Sequence, residues 1–77
     1  MRIKVMRRIE VNPEILSGKP VIKGTRIPVY VILNLLSEGY SINEIIEFYP
    51  DLTREDILEC IKYASKVIER QEIYEIT

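Results

Sequence analysis

Apolar and polar positions change rhythm once along this chain, at Pro28. Before it, Ile3, Val5, Ile9 and Val11 fall on one parity and Arg2, Lys4, Arg8 and Glu10 on the other, the period of two expected of a half-buried strand. Met6 and Arg7 break the alternation, and the solvent face of such a strand is basic. Asn12-Pro13 and Ser17-Gly18-Lys19-Pro20 are turn sequences, and Pro20-Val21-Ile22-Lys23 predicts a second short strand stopped by Gly24. The two strands together predict a hairpin with a long loop.

From Pro28 the spacing is helical. Pro28 suits the first position of a helix, where its missing N–H has no partner to lose, and Val29, Ile32, Leu33 and Leu36 follow on one face before Gly39 closes it. Ser41-Ile42-Asn43-Glu44 is a capping-box sequence that opens a second helix with Ile42, Ile45, Ile46 and Tyr49 on its apolar face, ended by Pro50. Thr53-Arg54-Glu55-Asp56, with Asp in place of the preferred Glu or Gln, opens the third and longest helix. Its core-facing set reads Ile57, Leu58, Ile61, Ala64, Val67 and Ile68. The predicted class is therefore mainly α: one domain over residues 1–77, with a strand-and-turn segment at 1–28, a three-helix core at 29–70 and a tail at 71–77. The short turn at Tyr49-Pro50-Asp51-Leu52 matches a helix-turn-helix layout and equally a plain three-helix packing unit.

Composition narrows the function classes. The chain has 77 residues, 47% hydrophobic and 30% charged, too apolar for a disordered chain and without an apolar run long enough to span a membrane. The start MRIKVMRRIEV lacks the apolar h-region of a secretory signal, which makes the cytoplasm the expected address. One cysteine, Cys60, and no histidine leave no internal disulfide, no Cys/His zinc cluster and no histidine-based triad. Neither an enzyme nor a cofactor is expected. Fourteen isoleucines, ten glutamates and four Asn or Gln lean towards a thermophile's composition. A chain this short buries only about 60% of its unfolded surface, so a dimer is expected to supplement the core.

The net charge of −1 conceals a dipole. Residues 1–28 hold seven Lys or Arg against Glu10 and Glu14, whereas residues 29–77 hold four against ten acids. A basic segment suits a polyanion and an acidic one a basic protein surface.

Candidate chemistry is correspondingly modest. Gly18-Lys19 and Lys23-Gly24-Thr25-Arg26 approach a phosphate loop, but the Walker spacing and its lysine are missing. Lys23 and Arg26 flank a glycine turn at a helix start, a place that favours a phosphate oxygen; otherwise Gly24 serves as a left-handed turn and Thr25 as the cap of helix one. The third helix opens with Glu55, Asp56 and Glu59, which repel phosphates, leaving Arg54 as its DNA candidate and the helix mainly a core and interface element. The basic strand is the better DNA candidate, through Arg2, Lys4, Arg7 and Arg8; the alternative is an edge strand guarded by cations. Asp51, Glu55, Asp56 and Glu59 are explained by capping and solvation at least as well as by a metal. Cys60 reads as a small core residue, and Tyr30, Tyr40, Tyr49 and Tyr63 as rim-of-core residues. The tail brings Ile73, Tyr74 and Ile76 together with Glu69 and Glu72, a candidate partner-binding segment or a packed end of the last helix.

The run from Asn12 to Val29, NPEILSGKPVIKGTRIPV, followed by Gly39-Tyr40-Ser41, Tyr49-Pro50-Asp51-Leu52-Thr53 and Asp56-Ile57, resembles domain-of-unknown-function family 433, whose members include VapB-type antitoxins. The likeness covers roughly three quarters of the chain, from Ile9 to about Val67, and leaves the basic MRIKVMRR start outside it. It implies a homeodomain-like helical core preceded by short strands, no catalytic residues, and a PIN-like nuclease toxin as partner. Joined to the charge split, it leads to the expectation of a dimeric antitoxin-like protein. Operator DNA would be bound through Arg2, Lys4, Arg7, Arg8, Lys19, Lys23, Thr25, Arg26 and Arg54. The toxin would be held through Glu69, Glu72, Ile73, Tyr74 and Ile76. The rival expectation is a protein-interaction module of the same fold that does not bind DNA.

Overall fold

The computed structural model describes residues 3–70, with Ile3 and Lys4 described as backbone only. Three short strands, β1 (Ile3–Met6), β2 (Ile9–Val11) and β3 (Val21–Ile22), precede three helices, α1 (Val29–Ser37), α2 (Ile42–Phe48) and α3 (Arg54–Arg70). The strands form one antiparallel sheet in the order β1-β2-β3. None of the described helices is long and apolar enough to cross a membrane.

The first segment departs from the single strand expected of it. The chain reverses at Arg7-Arg8, and β1 pairs with β2 in the register Ile3 with Val11, Lys4 with Glu10 and Met6 with Ile9. Two residues of β1 against one of β2 between these last pairs make a bulge at Val5, and a bulge exchanges the faces of the residues beyond it. That is why Met6, off the parity, packs against the core, while Val5 is exposed. The expected hairpin with a long loop is the pairing of β2 with β3, Ile9 with Ile22 and Glu10 with Val21. Glu10, placed on the solvent face by parity, is instead buried, opposite Val21 in the central strand.

Helix punctuation is local and largely as the sequence predicts. Pro28 stands one position earlier than expected, as the extended residue preceding α1 (φ −71°, ψ 146°). Gly39, at φ +98°, lets the Gly39 and Tyr40 N–H groups reach back to the Leu36 and Leu35 carbonyls, at 3.0 and 3.1 Å, the Schellman closure that favours glycine. Ser41 and Glu44 form the capping box of α2, at 2.8 and 3.1 Å. Thr53 and Asp56 form the same reciprocal pair ahead of α3, at 2.9 and 3.2 Å, so the shorter aspartate closes the box as well.

The core is Ile9 and Ile22 from the sheet, Val29 and Ile32 from α1, Ile45 from α2, Leu52 from the turn, and Ile57 and Cys60 from α3. α1 and α2 both pack on α3, and they cover only one of its faces. Ile57 and Cys60 are buried, whereas Leu58, Ile61 and Ile68, expected in the core, are 43%, 42% and 61% exposed.

Candidate functional site

The turn between β1 and β2 is fastened to α3 by one residue. The Arg8 backbone N–H donates to Glu59 Oε2 at 2.6 Å, and its guanidinium donates to Asp56 Oδ1 at 3.1 Å. On its other side the Arg8 carbonyl accepts from the Lys23 N–H at 2.7 Å. Two turns distant in sequence, at residues 7–8 and 23–25, are thereby held side by side. Arg7 and Lys23 stay exposed on them, and with Arg8 and Asp56 they line an open depression of about 380 Å³. Three cations meet one carboxylate there, and that carboxylate already serves Arg8 and the α3 cap.

The second turn owes its form to Gly24 and Thr25. Gly24 sits at φ +81°. The Thr25 hydroxyl donates to the Ile22 carbonyl at 2.7 Å and accepts from the Ile27 N–H at 3.0 Å, while the Ile22 N–H donates to the Ile27 carbonyl at 3.0 Å. Thr25 is therefore a fastener of this loop and does not cap α1, which has no side-chain cap. Arg26, beside it, is exposed.

The other candidates spread around this edge. Lys19 lies 5.8 Å from the centre of the Tyr30 ring and, with Pro20, Val29, Leu33 and Tyr63, lines an apolar groove of about 510 Å³. Arg54 is exposed at the start of α3 and Glu69 near its end. Lys4 places its backbone in β1, opposite Glu10. Arg2, the Lys4 side chain, Glu72, Ile73, Tyr74 and Ile76 lie outside the described residues. The geometry thus brings together Arg7, Arg8 and Lys23, keeps Arg26 on the same loop, and separates them from Glu69.

Sequence reasoning missed the fastening of Arg8 by Asp56 and Glu59, the groove beside Tyr30 and the outward stripe of α3. The spacing of Leu58, Ile61, Ser65 and Ile68 was the available signal for the last of these. Cys60 is fully buried; burial first, then the Asp56 and Glu59 carboxylates, push its thiol up to about 12, which leaves it protonated and inert at neutral pH. Among the described residues no three His, Cys, Asp or Glu side chains are grouped to hold a metal ion.

The model of a family described as "Protein of unknown function (DUF433)" matches residues 9–64. The uncharacterized protein y4eO of Sinorhizobium fredii (strain NBRC 101917 / NGR234) is 40% identical over 53 residues, which are 69% of this chain and 24% of that protein. The crystal structure of a DUF433 member protein from Anabaena variabilis ATCC 29413 superposes with a TM-score of 0.75 at 30% identity, over 82% of this chain and 62% of that one. The chain thus spans about a quarter of the first relative and less than two thirds of the second.

Proposed function

The chain belongs to the DUF433 family, proteins of unknown function, and on that premise we propose that it is an antitoxin-like protein. In this reading it binds operator DNA as a dimer through its basic sheet edge, and neutralises a PIN-like nuclease toxin through Glu69 near the end of α3 and the tail residues Glu72, Ile73, Tyr74 and Ile76. The observation that carries the reading is the pair of basic turns pinned together by Arg8. Exposed Arg7 and Lys23 are presented from a backbone fixed by three hydrogen bonds to Arg8, so the two turns meet phosphates without a backbone rearrangement to offset.

The helix-turn-helix layout of α2, residues 49–53 and α3 belongs to this proposal in an altered use. The first turns of α3 carry Glu55, Asp56 and Glu59, and two of these hold Arg8, so DNA is met by the sheet turns and not by the start of α3. Residues 69–77, which hold Glu69, Glu72 and Glu75 against Arg70, would act on the toxin by covering a basic RNA channel or disturbing metal-binding carboxylates there. The rival reading, a protein-interaction module that ignores DNA, is favoured by the exposed apolar side chains of Phe48, Leu58, Ile61 and Ile68.

The test is affinity capture of the tagged chain from its native host, with the eluate then run against the DNA upstream of its own gene. Recovery of a small PIN-like nuclease together with a retarded fragment supports the proposal. Recovery of another protein with no retarded fragment refutes it in favour of the interaction module.

A further inference from the structure

α3 carries two apolar stripes, and the core occupies one. Ile57 and Cys60 are buried in the core, and Ala64 and Val67 are half-buried. The second stripe, Leu58, Ile61, Ser65 and Ile68, turns outward at the three-four-three spacing with which one helix seats along another. On the side of this stripe away from the core stand Glu55 and Lys62, both exposed, seven residues and so two turns apart.

We propose that this stripe receives a second copy of the chain, α3 against α3, antiparallel about a two-fold axis beside residues 59–60. Leu58 of one protomer then meets the partner's Ile61, and Glu55 meets the partner's Lys62, each contact occurring twice. The charge pattern selects this occupant. A glutamate and a lysine at opposite ends of a short apolar seam are complementary to their own copy when the helices run antiparallel, while a parallel pair puts this flank of the two copies on opposite sides of the seam and leaves the charges unpaired. Glu55, Leu58 and Lys62 line a shallow depression together with Arg7, Arg8 and Glu59, so the basic turn borders the seam. The inference deepens the dimeric part of the function proposed above, yet its test needs neither DNA nor toxin, and the two can fail separately.

The experiment is sedimentation equilibrium of the full chain and its variants up to about 100 μM, a range suited to a small seam with a dissociation constant on the order of micromolar. Circular dichroism checks that each variant is folded. The wild type is expected to be a dimer. The Leu58→Glu/Ile61→Glu double variant is expected to be a monomer. Glu55→Lys or Lys62→Glu alone should each weaken association about tenfold, and the combined exchange E55K/K62E should restore it. A monomeric wild type overturns the proposal and leaves the stripe to an unrelated protein. A dimer indifferent to the single reversals overturns it in favour of another surface, such as the groove beside Tyr30. Weakening by both single reversals without rescue by the exchange overturns the antiparallel seam.

Discussion

Asp56 holds two parts of the molecule together, and removing it should show both. Its Oδ2 accepts from the Thr53 N–H at 2.9 Å and its own N–H donates to Thr53 Oγ1 at 3.2 Å, while Oδ1 takes the Arg8 guanidinium at 3.1 Å. Loss of a helix-capping pair costs about 1 kcal/mol. The ion pair is partly covered, with the Arg8 side chain 33% and the Asp56 side chain 13% exposed, which after solvent screening supports roughly 0.5–1 kcal/mol. Asp56→Ala should therefore destabilise by about 1.5–2 kcal/mol, a large share of the stability of so short a chain. Urea unfolding followed by circular dichroism measures it. Asp56→Asn, which keeps a capping acceptor and drops the charge, should lose about half as much, and Arg8→Met should lose only the pair's contribution. Arg8→Met combined with Asp56→Ala should give a coupling energy near that of the pair. A cost below about 0.5 kcal/mol for Asp56→Ala, or additivity of the two substitutions, would refute this account of how the sheet is tied to α3.

Three further outcomes follow from the core and the turns. The Cys60 thiol is raised from 9.0 to about 12, so its contribution to stability is complete below pH 9 and is lost as pH rises towards 12, because the unfolded thiol ionises first. Wild type should lose roughly 2–3 kcal/mol by pH 11 that Cys60→Ala does not, read from denaturation midpoints of the two proteins across that range. Gly24→Ala meets no atom within 4 Å but inherits φ +81°, so it should cost about 1–2 kcal/mol from backbone strain alone, visible as a lower urea midpoint. Ile32→Ala, at a side chain with no exposure, should cost roughly 2–5 kcal/mol through lost transfer energy and an unfilled cavity, checked in the same assay.

The helices were readable because their signals are local. Ser41 and Glu44, Thr53 and Asp56, and Gly39 each act within one turn of the boundary they set, so the sequence around each boundary contains its cause. The reversal at Arg7-Arg8 was not readable for the opposite reason. No glycine, proline or asparagine marks it; it is held by Glu59 and Asp56, which are 51 and 48 residues away. The bulge at Val5 then moved Met6 inward, a shift that alternation alone does not encode. Leu58, Ile61 and Ile68 show a further limit. Periodicity identifies apolar positions on α3, but how wide an arc α1 and α2 cover is decided by packing, and these three lie outside that arc.

The candidate site was readable in kind and less so in geometry. Charge counting located the basic segment, and Arg7, Lys23 and Arg26 stand exposed on it. Which cations are engaged inside the protein required the fold: Arg8 is tied to Asp56, and Lys19 leans over the Tyr30 ring. Thr25, which the sequence left between phosphate site and helix cap, proved to be a fastener of its own loop.

The central claim, that the pinned basic turns meet DNA, is tested most directly by the salt dependence of binding to the upstream fragment. With Arg7, Lys23 and Arg26 of both protomers on phosphates, the logarithm of affinity should fall against the logarithm of salt with a slope of about −5. The Arg7→Glu/Lys23→Glu variant should lose most of that slope while remaining folded and still capturing its protein partner. Wild-type binding that is absent at low salt, or a slope unchanged in the variant, would contradict the account.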